Sequence, residues 1–185
     1  MNKGLAITLI FEANSLNYGE GIANISELKK FHRRNGEVYT LASRQSIRYD
    51  IVRLGNELFS WNLDTVSKAK GVIQFKDEVT IKDSVEMDLF GYLKTDKQSK
   101  KRPAVARLSH GISLEPYHGD MEFLNNMGFA ERIKDNPNIA NIEQHHSFYS
   151  YSICVDLAKV GIDQNDEIEI SKEEKAECVL QLLEI

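Results

Sequence analysis

The stretch Ser43-Arg44-Gln45-Ser46-Ile47-Arg48-Tyr49 carries the most chemistry in this sequence. Ser43 suits a helix N-cap, because its hydroxyl accepts a backbone N–H of the first turn. Ile47, Ile51, Leu54 and Leu58 recur at helical spacing behind it, so a helix is predicted from Ser43. Arg44 and Arg48 stand four residues apart on one side of that helix, in its first two turns. Cations there face the positive end of the helix dipole, which costs roughly a few tenths of a kcal/mol. A phosphate at the helix end reverses the sign, since backbone N–H groups and both guanidinium groups then point at one anion. The competing reading is that one arginine pairs with a Glu or Asp from elsewhere in the chain.

Charge along the chain is uneven. The whole sequence has 23 Lys plus Arg against 28 Asp plus Glu, a net −5, which argues against a simple nucleic-acid binder. Residues 29–53 nevertheless hold seven cations against Glu37 and Asp50, and 94–107 hold six against Asp96. The tail from 161 holds eight acids and two lysines. An acidic tail thus masks a body able to attract a polyanion, although solvated surface faces are the commoner account of such blocks. Among aromatics, Tyr18 in the polar glycine loop 14–21 is the better base-stacking candidate. Tyr149 and Tyr151 alternate with Ile153 and Val155 and read as core.

Other chemistries find little footing. His110 suits stacking on a base or bonding a phosphate, whereas His32 and His118 read as surface residues and His145-His146 as strand flanks. A metal would need several of these beside a carboxylate such as Asp120, and neither HExxH nor an i,i+4 pair is present. No GxSxG occurs, and Gly19-Glu20-Gly21 lacks the Lys-Ser/Thr of a phosphate loop. Asp88 and Asp156 are isolated acids, for which capping or ion pairing is the simpler account. No catalytic residue, metal or cofactor is expected. Two cysteines, Cys154 and Cys178, exclude a disulfide framework and a zinc ribbon and point to a reducing cytoplasm.

The elements that must hold these residues follow from periodicity. At 185 residues with 42% apolar and 28% charged content, one self-sufficient core is the default. Residues 4–12 alternate as a strand and are far too few for a membrane span of about 20 residues. A short helix is expected near 26–31, a strand at 37–41, the helix at 43–59 and a strand at 71–81. TDKQSKKR (95–102) reads as a mobile loop without a core residue, 103–113 as a strand and 120–134 as a helix. Residues 147–158 give the longest strand signal. Ser171-Lys172-Glu173-Glu174 is a capping box opening a helix with Ala176, Val179, Leu180 and Leu183 inward. That helix reaches Ile185 without a stop signal, which predicts a piece of a longer protein.

In order, this is an α+β, ferredoxin-like βαββαβ pattern with its last strand missing. It divides into 1–83 (first half), 84–143 (insertion) and 144–185 (second half). Its sheet would present an open face of the kind RNA-recognition folds use.

Five blocks occur in sequence: GLAITLIFEANSLNYGE (4–20), SRQSIRY (43–49), EMDLFGYL (86–93), RLSHGISLEPYHGDMEF (107–123) and HHSFYSYSICVDLAKVG (145–161). Together they resemble the DevR-type backbone subunit of the CRISPR-associated surveillance complex Cascade, subtype I-B, the seventh Cas family of the RAMP superfamily. The likeness covers nearly the whole chain and departs at its end, where family members continue with a further strand. It implies an RRM-like palm with an inserted thumb, a helical filament of copies along the CRISPR RNA, other Cascade subunits as partners, and target DNA reached through guide pairing. It implies no nuclease activity, no membrane and a cytoplasmic place. On that resemblance Asn17, Tyr18, Ser43, Arg44, Gln45 and Arg48 contact the guide backbone. Lys97, Lys100, Lys101, Arg102, Arg107 and His110 are assigned to thumb and web surfaces from charge and position. Removing Arg44 and Arg48 together should flatten the salt dependence of RNA binding. Two other readings stay open. One is a guide-directed ribonuclease of the type III class, using a loop acid and a divalent ion. The other is a regulatory or protein-interaction module docking through its acidic tail.

Overall fold

A computed structural model describes residues 3–69, 71–95 and 99–185. The chain opens with β1 (Gly4–Asn14), β2 (Ile25–Ser26), β3 (Lys30–His32), β4 (Val38–Ala42) and α1 (Arg44–Phe59). The hairpin β5 (Val66–Ala69) and β6 (Val72–Phe75) leads to α2 (Val85–Phe90), β7 (Tyr92–Lys94), β8 (Lys100–Arg102), β9 (Ala106–Leu108) and β10 (Gly111–Ser113). Then come β11 (Asp120–Asn125), α3 (Met127–Ile133), β12 (Ile139–Gln144) and β13 (His146–Asp156). The short strands β14 (Ile162–Asp163) and β15 (Ile168–Glu169) precede α4 (Lys172–Glu184). The main sheet runs β1-β13-β10-β4-β3, with β9 also pairing β13, so the class is α+β as its sequence suggests.

Two compact units share the chain. The first combines Met1–Ile7, Arg48–Leu108 and Ile153–Ile185; the second combines Thr8–Ile47 and Ser109–Ser152. The segment 84–143 contributes to both.

In the second unit, β10 pairs β13 (Ile112↔Ser150) and β4 (Ile112↔Leu41), and β3 pairs β4, all antiparallel. Tyr149 is wholly buried here, as its alternation predicts. Its hydroxyl and the His145 Nδ1 meet the Thr40 hydroxyl at 2.8 and 2.7 Å, so three buried polar groups satisfy one another. A smaller sheet, β11-β12-β2, stands beside these strands, and every residue of β11 is exposed.

The first unit is built around Val79, Ile81, Met87 and Tyr92, with Phe75 and Ile168 against them. Asp88 and Arg102 form a buried ion pair at 2.6 Å. Both Asp88 oxygens also accept the Gly161 N–H, at 2.9 and 3.0 Å, and Arg102 donates to the carbonyls of Met87, Asp88, Lys159 and Ile162. Burying two charges is tolerable only when their hydrogen-bonding capacity is filled in this way. Burial pushes the Asp88 carboxyl above its ordinary range, against the Gly161 N–H and the Arg102 charge that pull it down.

Several local expectations change. Residues 26–31 contribute to β2 and β3, not to a helix. Of 71–81 only Val72–Phe75 is strand; it pairs β5 in a separate hairpin, and the residues after it turn. Within 120–134 the first six residues are strand, because Met121 and Phe123 alternate with Asp120 and Glu122 at the period of two; α3 begins only after Asn126. In 95–102, Lys100–Arg102 is β8, paired to β7, and Arg102 is core. On α4 the buried residues are Cys178 and Leu182, whereas Leu180 and Leu183 are 52% and 47% exposed. The rotation is set by a bond the periodicity cannot show: Trp61, itself buried, donates its ring N–H to Gln181 at 2.6 Å.

Candidate nucleic-acid interface

The start of α1 is built by three segments of the second unit. The Ser43 hydroxyl caps the helix, accepting the Ser46 N–H at 3.2 Å. The Ser43 N–H donates to Asn17 Oδ1 at 3.1 Å, which fixes the loop after β1 to the helix. The Arg44 N–H donates to His110 Nδ1, also at 3.1 Å. Nδ1 accepts in this bond, and the His110 ring is exposed. Asn17, Ser43, Arg44 and His110 are therefore one cluster. His110 belongs to the helix start and not to a separate web surface, a placement that no spacing in the sequence encodes.

This cluster already satisfies most of the helix-end donors. Among the described residues only the Gln45 N–H of the first turn lacks an acceptor. The attraction for an anion therefore rests on side chains more than on backbone N–H groups. Arg44 is exposed and has no carboxylate partner among the described residues. Tyr18 is half-buried, and its hydroxyl donates to the Glu143 carbonyl at 3.0 Å, so the loop carrying Asn17 is anchored at two points. Glu143 itself bonds Lys30 at 2.6 Å and the Leu28 N–H at 2.7 Å. Burial would raise this carboxyl, but the Lys30 contact and the Leu28 N–H outweigh it and hold it below the usual carboxylate range.

The other expected contacts lie in the first unit. Arg48 Nη2 sits 2.7 Å from Glu86 Oε1, and its guanidinium lies 5.2 Å over the Phe90 ring. That is the competing reading of the arginine pair: one is claimed by a carboxylate, the other is open. Arg102, expected on a thumb or web surface, is buried against Asp88 and cannot face a nucleic acid, because its partner lies on a different element, α2. Lys100 pairs with Asp166. Lys101 and Arg107 are exposed, and Arg107 lines a groove of about 500 Å³ with Lys3, Leu5 and Cys154. Lys97 lies outside the described residues. Among the described residues no helix is long and apolar enough to cross a membrane.

The site is thus one exposed guanidinium at a capped helix start in an α+β fold, a side chain whose donors can bond phosphate. Residues 5–185 match the family described as "CRISPR-associated negative auto-regulator DevR/Csa2", and the chain belongs to it. It is 29% identical over 162 residues to the "CRISPR-associated protein Cas7/Cst2/DevR" of Myxococcus xanthus (strain DK1622). That match takes in 77% of this chain and 53% of the relative, so the chain spans about half the relative's length. The fold is shared with a chain of a "CRISPR RNA-guided surveillance complex, pre-nicking", at a TM-score of 0.66 and 12% identity over 98% of this chain and 71% of that one. A chain of another "CRISPR RNA-guided surveillance complex" gives 0.56 and 17%, covering 98% of this chain and 59% of that chain.

Proposed function

We propose that this chain is the part of a CRISPR surveillance-complex backbone subunit that holds guide RNA by its phosphates, without regard to base. The observation that carries the reading is the open Arg44 guanidinium on a helix start pre-set by Asn17, Ser43 and His110. Phosphate contacts position a strand without reading it, which leaves the bases free to pair with target DNA. Family membership and the shared fold support an RRM-like palm with an inserted thumb, assembled with other Cascade subunits and with copies of itself along the guide. The exposed strand β11 and helix α3 suit the thumb, with Phe123 and Phe129 58% and 67% exposed. The reading is of binding rather than catalysis, and it is supported by the engagement of Asp88 with Arg102 and the Gly161 N–H and of Asp156 with Lys159. Two RNAs of equal length and unrelated sequence should bind equally well, and neither guide nor target RNA should be cut when magnesium is added. Strong preference for one sequence, or periodic cuts in the target, contradicts this function.

A further inference from the structure

The basic block at 29–53 is only partly absorbed by the helix start. Arg33 and Arg34 occupy the apex of the β3–β4 hairpin, past its last ladder pair His32↔Val38. The turn is locked. The Arg33 N–H donates to the Glu37 carbonyl at 3.0 Å, and Gly36 takes a φ of 85°, in the left-handed region that glycine tolerates. Asn35 clamps it from the side: Oδ1 accepts the Glu37 N–H at 3.1 Å and Nδ2 donates to the Tyr39 hydroxyl at 3.3 Å. The Arg33 guanidinium lies 4.4 Å over the Tyr39 ring, which packs its face and leaves its edge donors open. Both arginines are exposed, and neither has a carboxylate partner among the described residues.

Edge protection does not account for this charge. Side chains that guard an edge strand stand along its ladder, whereas these stand beyond it. We propose that the hairpin tip is a second nucleic-acid contact, gripping the phosphate backbone of a strand independently of the α1 start. A protein partner needs an apolar centre to the interface, and residues 32–37 are all exposed and carry no apolar side chain. A single small phosphate compound needs donors converging in a concavity, which a hairpin apex lacks. A strand instead offers phosphates in series, and each one neutralised releases bound counterions.

The test is fluorescence anisotropy of the whole chain with labelled single-stranded RNA and with DNA of the same sequence, titrated across salt. Arg34→Gln should lower the slope of log affinity against log salt by about 0.7, and Arg33→Gln with Arg34→Gln by about 1.4. The guanidinium over the Tyr39 ring is that of Arg33, so the Arg34 single variant leaves that packing in place, and an unchanged thermal midpoint verifies it. A slope lowered with either probe supports the contact, and one lowered with RNA alone or DNA alone assigns the tip to the guide or to the target strand. An unchanged slope with both probes overturns it. Arg44→Ala in parallel separates the two sites: a loss there with none at Arg34 sinks this inference alone, and the reverse sinks the α1 reading alone.

Discussion

Arg44→Ala isolates the central electrostatic claim. Arg44 is exposed and unpaired, so its removal takes away one phosphate-neutralising charge and no buried contact. On a single strand that lowers the salt slope by about 0.7 log units per log unit of salt. Screening at an exposed site keeps the affinity loss to about fivefold or less, equal for every RNA sequence. Arg48→Ala should behave differently. Its guanidinium is held by Glu86 at 2.7 Å and packed over Phe90, so the slope stays near wild type while the first unit loses stability. The double variant should then show little more slope change than Arg44→Ala alone, a narrower outcome than the two-arginine clamp suggested by their spacing. Nitrocellulose filter binding across a salt series reads all three. Equal slope changes for Arg44→Ala and Arg48→Ala would refute the reasoning, because they would mean that Glu86 does not neutralise Arg48.

Other outcomes follow from the buried groups. Arg102→Met should cost about 3–5 kcal/mol, because Asp88 is left charged and buried; the urea midpoint measures it, and a near-neutral result would show the pair to be expendable. Gly161→Ala should also destabilise the first unit, by about 2 kcal/mol or more: φ is 67° and the added carbon would lie 2.3 Å from Ile170 Cγ1. Acid should weaken the second unit in two stages. Burial holds His145 below its ordinary value of 6.5, so the unfolded chain takes up a proton first and stability falls as pH drops below 6.5. Glu143, depressed below 4.5, keeps its contribution above that pH and loses it on further acidification. Thermal midpoints against pH should show Glu143→Gln losing only the lower stage; an unchanged lower stage would contradict the assignment to Lys30 and Leu28.

The sequence made some of this legible and hid the rest for identifiable reasons. The Ser43 cap and the α4 capping box are local, so residue type and spacing placed them correctly. The long strands β1 and β13 carried enough alternation to be found, and with them the burial of Tyr149. Short elements went wrong where two periods compete over a few residues, as in β11 against α3. The site was harder. Which arginine stays open depends on Glu86, 38 residues from Arg48, and the place of His110 depends on a bond to a backbone N–H 66 residues away. Charge counted along the chain likewise grouped Arg102 with its exposed neighbours, although Asp88 and four carbonyls enclose it.

The most direct measurement is recovery of the protein from cells in its native assembly, followed by extraction and sizing of any bound nucleic acid. Guide-length RNA of uniform size and mixed sequence, released by high salt, is the predicted result. An assembly free of nucleic acid, or one holding RNA of a single sequence, would contradict the account.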